Sequence, residues 1–269
     1  MPELPEVQTV INSIKHKLIN KRIINYNIFN KKICYNKDST SASKKLINQR
    51  IISVSRLGKN IIIKLSTDYI IFHLRMTGYL YHSKKLNVTS KHLRYSLFLS
   101  DKSYLHFEDI RKFGGFFYLT NLKDFKKKIG LDPFNSNFTK IWLYKTLKLK
   151  RAKIKPLLLR QDYICGLGNI YIDEILWKSK INPKKEARNI NKTKTVSLHE
   201  NIMQILKDSI SHHGTTFMNF KFDAMKTGDY KKKLNAYGRK NKNCRRCSQS
   251  ISITKISGRT TYYCKNCQR

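Results

Sequence analysis

Pro2 and Glu3 stand side by side in the opening run Met1-Pro2-Glu3-Leu4-Pro5-Glu6. Removal of Met1, usual before a small second residue, leaves Pro2 with a free secondary amine next to a carboxylate. A neutral amine attacks carbonyl-like carbon, and a secondary amine yields an iminium that is cationic without being protonated, and therefore an electron sink. Glu3 is placed to move protons for it. With Met1 retained, the Pro2 nitrogen is an amide and inert. The same residues also read as the start of a helix. Proline suits a first turn, acids there complement the dipole, and Val7, Val10, Ile11, Ile14 and Leu18 follow with helical spacing.

A second set of chemical residues lies at the other end. Cys244-x-x-Cys247 and Cys264-x-x-Cys267, with sixteen residues between the pairs, have the spacing of a four-cysteine zinc site. Each pair presents two thiolates from one tight turn, and two such turns complete a tetrahedral shell with no open position, so one structural Zn2+ is expected. A segment this short buries too little apolar surface to fold alone, and metal binding and folding should be one event. Between the pairs, residues 251–255 and 260–264 alternate like two strands, with Ser257-Gly258-Arg259 as the hairpin tip. Arg259 there suits a phosphate contact and equally well a solvated surface position.

The whole chain has 269 residues, 40% of them hydrophobic, enough for real cores in one to three domains. Fifty-five Lys and Arg against 17 Asp and Glu give a net charge of +38, which attracts a polyanion through phosphate neutralisation and counterion release. Part of that charge reflects a general richness in Lys, Asn and Ile. No apolar run is long enough to span a membrane, and Pro2, Glu3 and Glu6 occupy the place of a basic signal-peptide region, so a cytosolic protein is expected. In that setting six cysteines argue against a disulfide framework. Cys34 and Cys165 read as packed thiols.

These residues need elements to position them. After the first helix, from residue 22 to about 119, short β-branched or aromatic runs at 51–54, 61–65, 69–74, 95–99, 104–107 and 116–119 alternate with turns, suggesting a sandwich or barrel-like sheet. A short helix is expected at 40–48. Helical patterns follow at 140–149, 155–160, 169–178 and 193–213, with Gly214 as a stop. His199 falls in the apolar-leaning stripe of the last helix and reads as a packed or partly exposed residue rather than a ligand. Residues 215–237 show no period and read as a long, mobile loop.

Six motifs in this order resemble the bacterial formamidopyrimidine-DNA glycosylases, which excise oxidised purines from DNA. They are the opening run, His73-Leu74-Arg75-Met76-Thr77-Gly78, Asp109-Ile110-Arg111-Lys112-Phe113-Gly114, Gly166-Leu167-Gly168-Asn169-Ile170-Tyr171, Tyr237-Gly238-Arg239 and the cysteine hairpin. The resemblance implies an α+β fold: an N-terminal β-sandwich over residues 1–133, a helix-two-turns-helix region with a lesion loop over 134–234, and a zinc finger over 235–269. It implies Pro2 as nucleophile at C1′ of the damaged nucleotide, Glu3 as acid/base, Lys59 as proton donor in β-elimination and Arg259 in δ-elimination. His92, Arg111 and Lys150 match DNA-contacting positions, and His73 and Asn169 match phosphate contacts. Met76, Arg111 and Phe113 match a trio that fills the hole left by an extruded base, Arg111 facing the orphaned cytosine. Damaged double-stranded DNA is the implied partner, and a monomer the implied state.

Asn169 also follows from the residues alone, since a helix opening at Gly168-Asn169 turns free N–H groups towards an anion. Some positions depart from the family pattern. Leu93-Arg94 stand where an acid and a second histidine are usual, Ile110 where proline is common, and Lys231 where the lesion loop usually has an aromatic, which leaves lesion preference open. Two rival readings remain. Endonuclease VIII shares the nucleophile and prefers oxidised pyrimidines, but Leu4 and the Met76, Arg111, Phe113 set favour the purine enzyme. A non-catalytic zinc-stabilised nucleic-acid binder would explain the charge and cysteines without needing Pro2, Glu3 or Lys59.

Overall fold

The computed structural model describes residues 1–87, 89–216, 220–223 and 225–269. The part of the expected lesion loop at 217–219 and 224 lies outside the described residues. The chain forms two compact units, residues 1–126 with 212–229, and residues 127–211 with 230–269.

In the first unit, α1 (Leu4–Leu18) is followed by eight strands. These are β1 (Ile23–Ile28), β2 (Ile51–Leu57), β3 (Asn60–Leu65), β4 (Tyr69–His73), β5 (Gly78–Ser83), β6 (Leu93–Leu99), β7 (Tyr104–Asp109) and β8 (Gly115–Leu119). They pair antiparallel into two four-stranded sheets, β1-β6-β7-β5 and β2-β3-β4-β8, the sandwich expected from the short alternating runs. Its core takes Val7, Val10, Ile11 and Ile14 from α1, Ile61 and Ile63 from β3, and Phe72, Phe107 and Phe116 from the two sheets. Phe222 joins that core from the segment beyond Gly214.

β1, β5 and α3 lie outside the runs expected from the sequence. β5 begins on a glycine and reads as loop, and it becomes a strand because β7 offers it a six-residue partner. The short helix α3 (Lys123–Lys127) buries no residue and so carries no apolar signal. The expected helix at 40–48 is shorter, α2 (Ser39–Lys44), opened by the Asp38 side chain accepting from the Ser41 N–H.

The second unit holds α4 (Lys140–Lys148), α5 (Ile154–Leu159), α6 (Asn169–Lys178) and α7 (Lys192–Ser211), then the hairpin β9 (Ser252–Ile256) and β10 (Arg259–Tyr263). Eight consecutive residues of α6, Ile170 to Trp177, are buried, so this helix is the centre of the unit. His199 stacks on Phe138 and its Nε2 lies 2.8 Å from the Phe138 carbonyl, a packed residue as expected. Cys34 and Cys165 are buried thiols. No helix among the described residues is long and apolar enough to cross a membrane.

Candidate active site and metal centre

The N-terminal residues are held by a carboxylate. Glu3 is the N-cap of α1, and Glu6 reaches back to accept from the Glu3 N–H at 2.8 Å in a capping-box arrangement. The other oxygen of Glu6 accepts from the Thr215 N–H at 2.7 Å, tying the start of α1 to the segment after Gly214. Pro2 and Glu3 are buried while Met1 is 55% exposed.

Gly214 makes this approach feasible. It sits at φ +82°, and a Cβ there would fall 2.6 Å from the Glu6 carboxylate. Gly214→Ala therefore adds left-handed strain of roughly 1–2 kcal/mol to a clash with a buried acid. We expect a lower melting temperature, checked by calorimetry; an unchanged variant would refute the Glu6 bridge.

Lys59 is buried in the two-residue turn between β2 and β3. Arg56 links this turn to α1, donating to Gln8 Oε1 at 3.0 Å and to the Gly58 carbonyl at 3.2 Å. Asn60 pairs with His73 across β3 and β4, so Lys59 and His73 belong to the same end of one sheet. His73 Nδ1 accepts from the Arg75 N–H at 3.0 Å, which leaves the proton of a neutral ring on Nε2, free to donate to a phosphate.

Burial lowers the His73 pKa to about 4, and the positive charges of Arg75 and Lys59 push in the same direction. This value lies below that of an unfolded histidine, so the stability contributed by neutral His73 is fully present above pH about 6.5 and is lost as the pH falls towards 4. An NMR titration of the free protein should show His73 neutral at pH 6, and a midpoint at 6.5 or above would refute this environment.

Met76, Arg111 and Phe113 come together on two loops, after β4 and after β7. The Arg111 guanidinium touches the Met76 sulfur at 2.9 Å and lies 4.8 Å from the Phe113 ring centre. Met76 is 43% and Phe113 53% exposed, which excludes an ordinary core role. The backbone beside them is unusual: Arg75 has φ +52° and Lys112 φ +60°.

A single buried acid holds both loops. Asp109, 1% exposed, accepts from the Thr77 hydroxyl, from the Arg111 N–H at 3.2 Å and from the Gly114 N–H at 2.7 Å. Arg94, a departure from the family pattern, is buried and donates to the carbonyls of Asp109 at 2.8 Å and Lys91 at 3.1 Å. His92 is half-buried in the same turn, its carbonyl accepting from the Asp109 N–H at 2.9 Å.

In the second unit, Lys150 is exposed just beyond α4. α6 opens at Asn169 with Gly168 as an N-cap that offers no side chain. The Asn169 side chain is partly committed, its Nδ2 donating to the Thr260 carbonyl at 2.9 Å. Its buried Oδ1 has no partner. Lys231 lies in a 3-10 turn, Tyr230–Lys233.

The four cysteines Cys244, Cys247, Cys264 and Cys267 converge, their sulfurs all within 4.8 Å of one another. Sulfurs at about 2.3 Å from a tetrahedral centre stand about 3.8 Å apart. Cys247 to Cys264 at 3.4 Å and Cys244 to Cys267 at 4.0 Å bracket that separation and are far beyond a disulfide bond. The donor set fits a structural zinc ion. The apolar cluster around it is small, Trp177, Ala236, Ile251 and the cysteines with Tyr262, and it borrows Trp177 from α6. Trp177 donates its indole N–H to Cys244 at 3.3 Å, and Arg246 lies over the indole at 4.2 Å.

Residues 1–116 match the formamidopyrimidine-DNA glycosylase N-terminal domain and residues 129–221 the H2TH domain of the same enzymes. The chain belongs to the formamidopyrimidine-DNA glycosylase family. Among its relatives, the enzyme of Pelotomaculum thermopropionicum is 36% identical, with 100% of this chain and 99% of the relative covered. That of Mycoplasma genitalium is also 36% identical, covering 100% and 96%. The Lactococcus lactis Fpg (MutM) in complex with N7-benzyl-Fapy-dG DNA superposes with a TM-score of 0.91 at 32% identity, over the whole of both chains. The same protein bound to DNA containing an abasic site superposes at 0.91 with 33% identity, over 99% of each. As a member of this glycosylase family the protein is a DNA-repair enzyme, a DNA glycosylase and AP lyase.

Proposed function

We propose that the protein removes oxidised purines, 8-oxoguanine and formamidopyrimidines, from double-stranded DNA and cuts the strand by β,δ-elimination through a Schiff base on Pro2. One observation carries the purine assignment: the mutual contact of exposed Met76, Arg111 and Phe113 on two loops pinned by Asp109. A damaged base must leave the stack before C1′ can be reached, which costs a few kcal/mol, and inserted side chains offset part of that. An arginine backed by an aromatic ring and a thioether suits an orphaned cytosine. Endonuclease VIII-like pyrimidine excision is the second reading, and Leu4 argues against it as the trio does.

In the proposed mechanism the unprotonated amine of mature Pro2 attacks C1′ and the N-glycosidic bond breaks. The departing base takes a proton, the sugar ring opens, and Glu3 serves as acid/base. The resulting iminium acidifies the C2′ proton. Its removal expels the 3′ phosphate, with Lys59 as proton donor, and a second elimination expels the 5′ phosphate with Arg259. Hydrolysis of the imine then restores Pro2. His73, through Nε2–H, and Asn169 contact phosphates, while His92, Arg111 and Lys150 contact DNA. The zinc ion, held by the four cysteines, supplies folding of the hairpin and no chemistry. The protein acts as a monomer in the bacterial cytosol.

Borohydride trapping tests the reading. Duplex DNA with 8-oxoguanine opposite cytosine should give a covalent adduct mapped by mass spectrometry to Pro2, with Met1 absent. Trapping only on a thymine-glycol duplex would move the protein to the pyrimidine enzymes, and binding without trapping on either would refute the Schiff-base mechanism for this preparation.

A further inference from the structure

The buried ion pair between Lys155 and Asp173 is left over by the mechanism above. Both side chains are 0% exposed, and they meet at 2.6 Å. Taking two charges out of water costs several kcal/mol each, and a well-packed apolar pair would stabilise the fold as well or better. An apolar pair could not do what this one does next.

β10 is one strand of a two-stranded sheet, so among the described residues one edge of its backbone has no strand partner. That edge is paired by side chains. Asp173 accepts from the Tyr262 N–H at 2.9 Å, and Lys155 donates to the Thr260 carbonyl at 3.1 Å, where Asn169 also donates. Asn169, Asp173 and Trp177 follow one another at four-residue spacing and thus form a single stripe of α6. The stripe runs from Thr260 to the zinc ligand Cys244.

Arg259 immediately precedes Thr260. It is exposed, and a Cβ on its neighbour Gly258 would meet nothing within 4 Å, so the tip has no packing of its own. The zinc ligand Cys264 anchors the far end of β10, about 16 Å from Arg259 for five extended residues. Held only there, the hairpin is a lever whose small rotations become ångströms at its tip, and a misplacement of 1 Å can cost about a hundredfold in rate.

We propose that Asp173 and Lys155 are positioning residues for Arg259: the pair exists to give the free edge of β10 one acceptor and one donor, and so fixes where the arginine emerges. The inference rests on the role assigned to Arg259 above. Removing the pair uncouples the second elimination from the first.

The test uses duplex DNA with a preformed abasic site and the ratio of δ- to β-elimination products. The double variant Lys155→Met/Asp173→Leu removes both charges together and avoids stranding either one, and its zinc content and melting temperature are measured alongside. Full zinc occupancy with a δ:β ratio lowered on the order of ten- to a hundredfold, towards that of Arg259→Gln, is expected. A wild-type ratio in the zinc-loaded double variant overturns the proposal. If Arg259→Gln itself leaves the ratio unchanged, the role of Arg259 fails first and the positioning role with it. A measurement on the unaltered protein guards against a variant that does not fold. The Tyr262 amide should resist hydrogen exchange as strongly as the amides of α6, and rapid exchange there overturns the clamp.

Discussion

Glu3→Gln is expected to slow base release by about a hundred- to ten-thousandfold, the range a positioned acid/base contributes, while leaving DNA binding within a few fold. The glutamine is nearly the same size, and its side-chain oxygen can still accept the N–H that Glu3 accepts in the capping box, so the substitution leaves the helix start in place. What it removes is the ability to exchange a proton beside the Pro2 amine. Single-turnover excision on an 8-oxoguanine duplex, with binding measured on DNA carrying an uncleavable abasic analogue, separates the two quantities. Full excision by the variant would sink the assignment of Glu3. Loss of binding in parallel would show that the residue supports the N-terminus structurally.

Removal of zinc should have the second large effect. The cluster around the four cysteines is too small to stand alone, and a structural zinc supplies about 10–16 kcal/mol, comparable to the roughly 5–15 kcal/mol that holds a whole domain. Chelation should therefore unfold the hairpin, free Arg259 from its place and abolish specific DNA binding. The sandwich unit should keep its fold, because its core draws on none of these residues. Metal analysis, circular dichroism and a binding titration on the chelated protein check all three. Normal affinity after verified zinc loss would refute a role for the hairpin in binding DNA.

How much was legible in the sequence depends on how far apart the interacting groups lie. The zinc ligands are two local turns, and a Cys-x-x-Cys spacing states its chemistry without reference to the rest of the chain. The strands of the sandwich and the helices at 140–149, 169–178 and 193–213 show in apolar periodicity, because each buries one face or all of itself. β5 and α3 were invisible because pairing with a neighbour or bare local propensity made them, with no burial pattern to report it.

The candidate site divides in the same way. Pro2 and Glu3 are named by motif, Lys59 and Arg259 by the family resemblance, and Met76, Arg111 and Phe113, which that resemblance groups, lie in contact with one another. The groups that aim them were not found. Glu6 reads as an acid in a first helical turn, yet its second oxygen serves an N–H 209 residues away. Asp109 reads as one more acid in a loop motif, yet it closes two loops at once. Asp173 reads as a polar interruption of an apolar helix, yet it pairs the open edge of a strand 89 residues later. In each case a buried carboxylate accepts from backbone N–H or hydroxyl groups. A backbone N–H is common to every residue but proline, so no side-chain pattern marks the acceptor's partner in advance. By itself the sequence pointed to the family, the four-cysteine cluster and the candidate reacting groups, since these depend on residue type and short spacing. The tertiary structure alone decided which acids hold them in position, since that depends on which distant backbone groups folding leaves unpaired beside them.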